Sequence, residues 1–185
     1  AHFYDLTGAV AAAMTDSKIP DAQAGYEKGY TLALAAQAGA NLIYEAAGMH
    51  ASLLGCCLES LVIDNDIIGS VLRTVRGIEA TEDGLSVEAI GEACIGGPGH
   101  FLGHVQTLQL MQSEYVYPVV GDRTSPKEWI EQGSTDVVQR ARTRVREVLA
   151  RHYPTYIDPA LDAALRQRFP IKLPAEFMAP DNGRW

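Results

Sequence analysis

The sequence lacks a cysteine framework. It has three cysteines, an odd number, and Cys56 and Cys57 are adjacent. That suits neither a disulfide scaffold nor a CxxC metal knuckle, and buried, reduced thiols of a cytoplasmic protein are expected. The sequence also lacks any apolar run near the ~20 residues that a membrane helix needs. It has no basic stretch leading into an apolar one, so no signal peptide is expected. A basic excess is missing too. Lys and Arg number 15 against 23 Asp and Glu, a net charge of −8, which argues against general nucleic-acid binding because phosphate contacts need cations. There is no GxSxG elbow and no nucleotide-binding fingerprint. The chain opens on Ala1-His2-Phe3 rather than Met, inside amphipathic sequence, and is expected to be part of something longer.

What is present fits a globular protein. The 185 residues are 47% hydrophobic and 21% charged, enough to bury a real core and too apolar for disorder. The charge is uneven. Residues 1–95 hold 13 acidic and 4 basic side chains, and residues 96–185 hold 10 acidic and 11 basic. The simplest explanation is a difference between solvated faces; the alternative is an acidic half that draws in a cation.

His2 to Leu6 reads as the tail of a helix. Gly8 to Thr15 reads as a short buried strand ending in a polar loop. Asp21 is placed to cap a helix running through Tyr26, Tyr30, Leu34 and Ala38 to Gly39. Asn41 to Tyr44 is a second short strand, and a long helix follows from Cys57 to Arg76, ended by Gly77. Its apolar positions Leu58, Leu61, Val62, Ile68, Leu72 and Val75 recur at helical spacing. This order is that of repeated βα units in a parallel sheet. Beyond residue 77 the pattern turns helical: Ser86–Cys94 with Ser86 as cap, His100–Glu114 after a glycine break, a connector through Tyr115–Pro118, then Asp136–His152 and Pro159–Arg168. A strap with Pro170, Pro174 and Pro180 closes the chain. The Asp136–His152 helix places Val138, Ala141, Val145, Val148 and Leu149 on one face and a solvated or ion-paired Arg140, Arg144, Arg151 stripe on the other.

Two strands cannot make a stable parallel sheet, and a barrel of this type needs eight. The expected fold class is therefore α/β. Residues 1–77 read as the last βα units of a (β/α)8 TIM barrel, and residues 78–185 as a helical C-terminal extension.

Three constellations can carry chemistry. Thr15-Asp16-Ser17-Lys18-Ile19-Pro20-Asp21 follows a strand end, where such barrels place catalysis. Its two carboxylates and lysine can hold a cation or orient a leaving group, or serve only as an ion-paired capping loop. Tyr44-Glu45 and His50 follow the second strand. A tyrosine face and a carboxylate are what a quaternary ammonium needs, through cation–π contact and Coulomb attraction. A core tyrosine and a surface glutamate would explain the same residues. Gly96-Gly97-Pro98-Gly99-His100-Phe101-Leu102-Gly103-His104 sets two histidines at i, i+4. A metalloprotease helix has Glu where Phe101 stands, and no Lys-Ser/Thr follows for a phosphate loop. A structural turn with hydrogen-bonded histidines is favoured over a metal.

These blocks carry a resemblance. Thr15-Asp-Ser-Lys-Ile-Pro-Asp-Ala-Gln-Ala-Gly-Tyr-Glu-Lys28, Ala38-Gly-Ala-Asn-Leu-Ile-Tyr44, Leu61-Val-Ile-Asp-Asn65 and Gly99-His-Phe-Leu-Gly-His104 resemble, in order and over nearly the whole chain, the trimethylamine methyltransferase family. The resemblance implies the C-terminal part of a (β/α)8 barrel enzyme that moves a methyl group from a methylated amine to the Co(I) of a cognate corrinoid (cobalamin) protein. The archaeal trimethylamine enzymes carry pyrrolysine; none stands in this segment, and relatives without it include glycine betaine methyltransferases. It further implies catalytic roles for Asp16, Lys18 and Asp21, and substrate contacts from Tyr44, Glu45 and His50. His100 and His104 would face the corrinoid partner. No directly bound metal is expected. Nucleic-acid or membrane partners are not expected, but a homo-oligomer is. The rival reading is a non-catalytic helical interaction fragment, since open sheet edges invite association.

Overall fold

The computed structural model describes residues 1–183. Arg184 and Trp185, at the end of the expected extension, lie outside the described residues. The first turn is a short 3-10 turn, His2–Tyr4, rather than the tail of an α-helix.

The polypeptide then makes one right-sized βαβ unit. Strand β1 (Ala9–Ala11), helix α1 (Ala22–Gln37) and strand β2 (Leu42–Tyr44) follow in order, with β1 and β2 parallel and Ala11 opposite Tyr44. Asp21 caps α1 as its position implies, accepting from the Ala24 amide at 2.9 Å. The described residues hold this one parallel pair and no closed barrel.

The stretch after β2 is more ordered than the loop expected from sequence. It folds into a hairpin, β3 (Met49–His50) against β4 (Gly55–Cys56), antiparallel. Strands of two residues leave no alternation to read. Helix α2 (Leu58–Arg76) follows and stops at Gly77, whose φ is +73°.

The core between sheet and helices is small. Ala13, Leu32 and Val71 are buried, with Ala33, Ala36, Ile43, Ala46, Ile67 and Ile68 packed against them. Beside it lies an ion pair: Lys28 Nζ meets Asp64 Oδ2 at 2.5 Å, with both side chains almost fully enclosed. The same oxygen accepts the Gly48 amide at 2.7 Å. Gly48 has φ +79°, and a Cβ there would lie 2.9 Å from Leu61 Cγ, so the position needs glycine twice over.

This pairing corrects the expected helix faces. On α1 the buried residues are Ala24, Lys28 and Leu32, while Tyr26, Tyr30 and Leu34 are exposed. On α2 the buried residues are Ser60, Asp64 and Val71; of the apolar face read from sequence, Val62 and Ile68 are half-buried, while Leu58, Leu61, Leu72 and Val75 are exposed. Apolar spacing marks which residues can be buried; the ion pair decides which flank turns inward.

Beyond Gly77 come α3 (Glu82–Leu85), α4 (Val87–Cys94), α5 (Val105–Glu114), α6 (Pro126–Glu131), α7 (Val137–Arg151) and α8 (Pro159–Arg168), then a 3-10 turn at Ala175–Met178. Helices α7 and α8 match the sequence reading closely, helped by the Asp136–Gln139 capping box and by Asp158. Helices α3 and α6, capped by Thr81 and Ser125, are too short to show a period. Ser86 precedes α4 with a left-handed backbone and makes no side-chain cap.

Helix α7 packs on α2, so the layers run sheet, then α1 and α2, then α7. Val138, Ala141, Val145, Val148 and Leu149 turn inward as expected, Ala141 completely. Arg140 departs from the expected solvated stripe: it donates to the Val120 carbonyl at 2.7 Å and to the Thr135 carbonyl. Asp66 on α2 accepts the amides of Val119, Val120 and Gly121, which anchors the connector. The cysteines are free but not buried: Cys56 and Cys94 are exposed and Cys57 is half-buried. Among the described residues no helix is long and apolar enough to cross a membrane.

The accessible surface is 13541 Å². A compact protein of 20.0 kDa would expose about 8,700 Å². Much apolar surface therefore awaits cover.

The ion pair generates a stability prediction. Asp64→Leu leaves the Lys28 ammonium buried and alone and is expected to destabilise by about 3–5 kcal/mol. Lys28→Met/Asp64→Leu removes both charges and leaves only the Gly48 amide unpaired, at about 1–3 kcal/mol. Denaturant titration of the two variants checks the order.

Candidate functional site at the strand ends

Strand polarity places the ends of β1 and β2 side by side, and the backbone is contorted there. Ala13, just past β1, has φ +67°, and Glu45, just past β2, has φ +61°. Ala51, Ser52 and Leu53 at the tip of the β3–β4 hairpin are also left-handed. Such conformations cost of order 1–3 kcal/mol each and persist only where the surroundings impose them.

Hydrogen bonds supply that constraint. The Thr15 hydroxyl donates to Glu27 Oε2 at 2.6 Å, and the Asp16 amide donates to the same oxygen at 2.9 Å. Gln23 donates to the other carboxylate oxygen. The hairpin folds back over the loop: the Ala51 amide donates to the Ser17 carbonyl, the Ser52 amide to the Thr15 carbonyl, and the Ser52 hydroxyl to Asp16 Oδ1. His50 is buried beneath. Its Nδ1 lies 3.1 Å from the Ser17 carbonyl, which can only accept, so Nδ1 carries the proton; in the neutral ring Nε2 accepts from Ser60 at 2.5 Å.

The result is an open cleft of about 430 Å³ lined by Met14, Thr15, Asp16, Glu27, Tyr30, Thr31, Ser52 and Leu53. The hydrogen bond from Thr15, helped by those from Gln23 and the Asp16 amide, holds the Glu27 carboxyl below its ordinary range. Asp21 is likewise held low, chiefly by the Ala24 amide. The cleft thus presents anionic oxygens, an aromatic ring and apolar side chains together, a setting that attracts a cation with an apolar skin.

The sequence-derived candidates fall into separate groups. Asp16 lines the cleft. Lys18 is exposed and donates to the Asp16 carbonyl at 2.7 Å. Asp21 is the helix cap. Tyr44 and Glu45 are exposed at the end of β2 and do not line the cleft. His50 is an enclosed, doubly hydrogen-bonded strut and not an open contact surface. His100 and His104 do not share a helix as read, because α5 begins only at Val105. Gly97 packs against the end of α4, where a Cβ would sit 2.0 Å from the Glu92 carbonyl oxygen, and the extended backbone of His104 sets the start of α5. His104 caps α5 through Nδ1, which accepts the Gln106 amide, and its Nε2 lies 3.1 Å from Glu92 Oε2. Sequence reasoning passed over Glu27, Tyr30 and Ser52. Glu27 and Tyr30 follow Asp21 by six and nine residues, and helical spacing from the cap could have turned both toward the loop.

Fold and site together define a mixed α/β protein, mostly helical, whose polar side chains gather beyond the carboxyl ends of a parallel strand pair. Comparison with known proteins makes the assignment particular. The family model described as Trimethylamine methyltransferase (MTTB) matches residues 1–176, and the chain belongs to this family. It is similar to trimethylamine methyltransferase MttB of Methanosarcina thermophila, 43% identical over 85% of this chain and 32% of that protein. It is similar also to the glycine betaine methyltransferase of Desulfitobacterium hafniense strain Y51, 32% identical over 90% of this chain and 34% of that protein. A trimethylamine methyltransferase MttB of Desulfitobacterium hafniense strain DCB-2 is 34% identical over 90% of this chain and 33% of its own length. The chain spans about a third of the length of these relatives.

The clamp on Glu27 has a pH consequence. Its carboxyl is held below the ordinary 4.5, so its contribution to stability is fully present above that pH and is lost as the pH falls through the lowered value. Glu27→Gln is expected to flatten the acid limb of the unfolding midpoint against pH while leaving the neutral plateau shallowly changed; thermal unfolding across that pH range measures it.

Proposed function

We infer that the full-length protein is a methyltransferase that takes a methyl group from a methylated amine and passes it to the Co(I) of a cognate corrinoid protein. The observation that carries this reading is the convergence of Asp16, Glu27 and Tyr30 with Met14 and Leu53 around one cleft at a strand end. Family membership supplies the reaction class. When presented by its partner, the corrinoid supplies a two-electron nucleophile. The chain's own part is to bind the ammonium, aim one methyl outward and exclude water.

A quaternary amine such as glycine betaine is the better match. The bond that breaks is C–N, its electron pair stays on nitrogen, and the amine departs neutral without needing a proton. A tertiary amine is a poor leaving group until protonated or otherwise activated. Lys18, exposed beside Asp16, would pair with a betaine carboxylate. Trimethylamine is the second reading, favoured by the 43% identity to a trimethylamine methyltransferase. Tyr44 and Glu45 are the alternative cation contacts, on the open face at the end of β2. His100 is exposed on the glycine-rich turn and belongs, in this reading, to the docking face for the corrinoid partner. His104 is already committed to the α5 cap and Glu92, so its role there is to hold the turn.

The test supplies full-length protein with cob(I)alamin and either glycine betaine or trimethylamine, and follows methyl transfer by absorbance. Transfer from glycine betaine is expected, and no transfer from either amine overturns the reading. Tyr30→Leu and Asp16→Asn are expected to raise KM about 5- to 30-fold, the loss of one cation contact of about 1–2 kcal/mol. If only Tyr44→Leu and Glu45→Gln raise it, the cation binds at the open face instead.

A further inference from the structure

The segment between α2 and the connector is an arm. Its two ends are clasped together: Arg73 and Arg76, in the last turn of α2, meet Glu114 Oε2 at 2.5 and 2.6 Å, and Arg73 also donates to the Gly77 carbonyl. Between these ends the arm bonds chiefly to itself. His104 pairs with Glu92, the Gln106 side chain donates to the Asp83 carbonyl, and Ala89 and Ala93 are buried within it. Its outer surface is apolar and acidic. Leu85, Val87 and Ile90 are exposed, and residues 78–113 carry five carboxylates, Glu79, Glu82, Asp83, Glu88 and Glu92, with no Lys or Arg.

The complementary surface lies elsewhere on the same chain. Helix α7 carries five arginines and a single glutamate. Along its flank runs a groove of about 270 Å³, with Val119 and Val120 beside Arg140 and Arg144. Arg144 pairs only with Glu147 on its own helix, and Arg151, on the same flank, has no acidic partner among the described residues. The chain's own arm does not occupy this groove.

We propose that the arm docks in this groove on a second copy of the chain, and that the second copy's arm docks here in return. The chemistry matches on both counts: exposed apolar residues set among carboxylates meet the exposed Val119 in a groove walled by arginines. The accessible surface exceeds that of a compact chain of this mass by several times the ~800 Å² that each partner of a stable pair covers. The remainder of a longer chain is the less suitable occupant. It would extend the sheet from the edges and open face of β1 and β2, whereas α7 lies a further layer out, beyond α2. Reciprocal exchange closes the assembly around a two-fold axis and buries the same patches on both copies.

Charge reversal in full-length protein tests this directly. One variant carries Glu82→Lys and Glu88→Lys on the arm; the other carries Arg144→Glu and Arg151→Glu on α7. Light scattering after gel filtration is expected to find the native protein as a dimer or a multiple of one. Each variant alone is expected to associate about 100-fold more weakly. An equimolar mixture is expected to recover the native mass, because each arm then faces an opposite charge on its partner. The mixture guards against a trivial folding defect, since misfolded variants would not rescue one another. A monomeric native protein, variants that keep the native mass, or a mixture that stays dissociated would each overturn the proposal.

Discussion

The Lys28–Asp64 ion pair is the constraint on which the arrangement depends. It joins α1 to α2 inside a core too small to do so by hydrophobic contact alone, and through the Gly48 amide it also holds the chain leaving β2. A buried pair of this kind need not add much net stability, because desolvation offsets most of the Coulomb gain. Its effect is on specificity. Any other rotation of α1 or α2 about its axis would leave a charge enclosed without a partner. That penalty selects one helix register, and the register sets where Glu27, Tyr30 and Ser60 stand.

From that register the strand-end site follows. Glu27, one residue before Lys28, faces the β1 loop and clamps Thr15 and Asp16. Ser60, one turn before Asp64, faces His50. His50 in turn supports the Ser17 carbonyl, and the hairpin tip closes over Asp16. The left-handed residues Ala13, Glu45 and Ala51–Leu53 are held by this network from several sides. The geometry is stiff where carboxylates and a tyrosine ring converge, which is what a binding surface for a compact cation requires, since such a ligand offers few hydrogen bonds with which to order its own site.

Much of this was legible in the sequence where the signal is local. The caps at Asp21, Asp136 and Asp158, the stop at Gly77 and the parallel strand order all follow from residue chemistry within a turn or two. The blocks of resemblance point to the family that the comparison shows, and Asp16, a candidate on sequence, lies in the wall of the cleft. The rest depended on contacts across tens of residues. His50 resembled an open ligand because nothing in its neighbours announces Ser17 and Ser60 on either side. The expected His100–Glu114 helix begins too early: its cap is His104, whose ring also meets Glu92 on α4, a contact invisible in one dimension. The expectation of a buried Cys56 and Cys94 rests on average tendencies of cysteine, which say nothing of a hairpin edge or a helix end at the surface.

The sequence by itself determined the order of β1, α1, β2 and α2, the ends of α1, α2, α4, α7 and α8, the acidic first half and near-neutral second half of the chain, and the membership of the trimethylamine methyltransferase family, because these rest on local backbone preference and on residue identity. Only the tertiary structure decided which helix faces turn inward, that Lys28 and not a leucine stripe lies beside the core, and that Glu27 and Tyr30 rather than Tyr44 and Glu45 wall the cleft. The physical reason is that burial of a charge is settled by its partner. Lys28 and Asp64 stand 36 residues apart, and neither carries in its own surroundings any sign of the other.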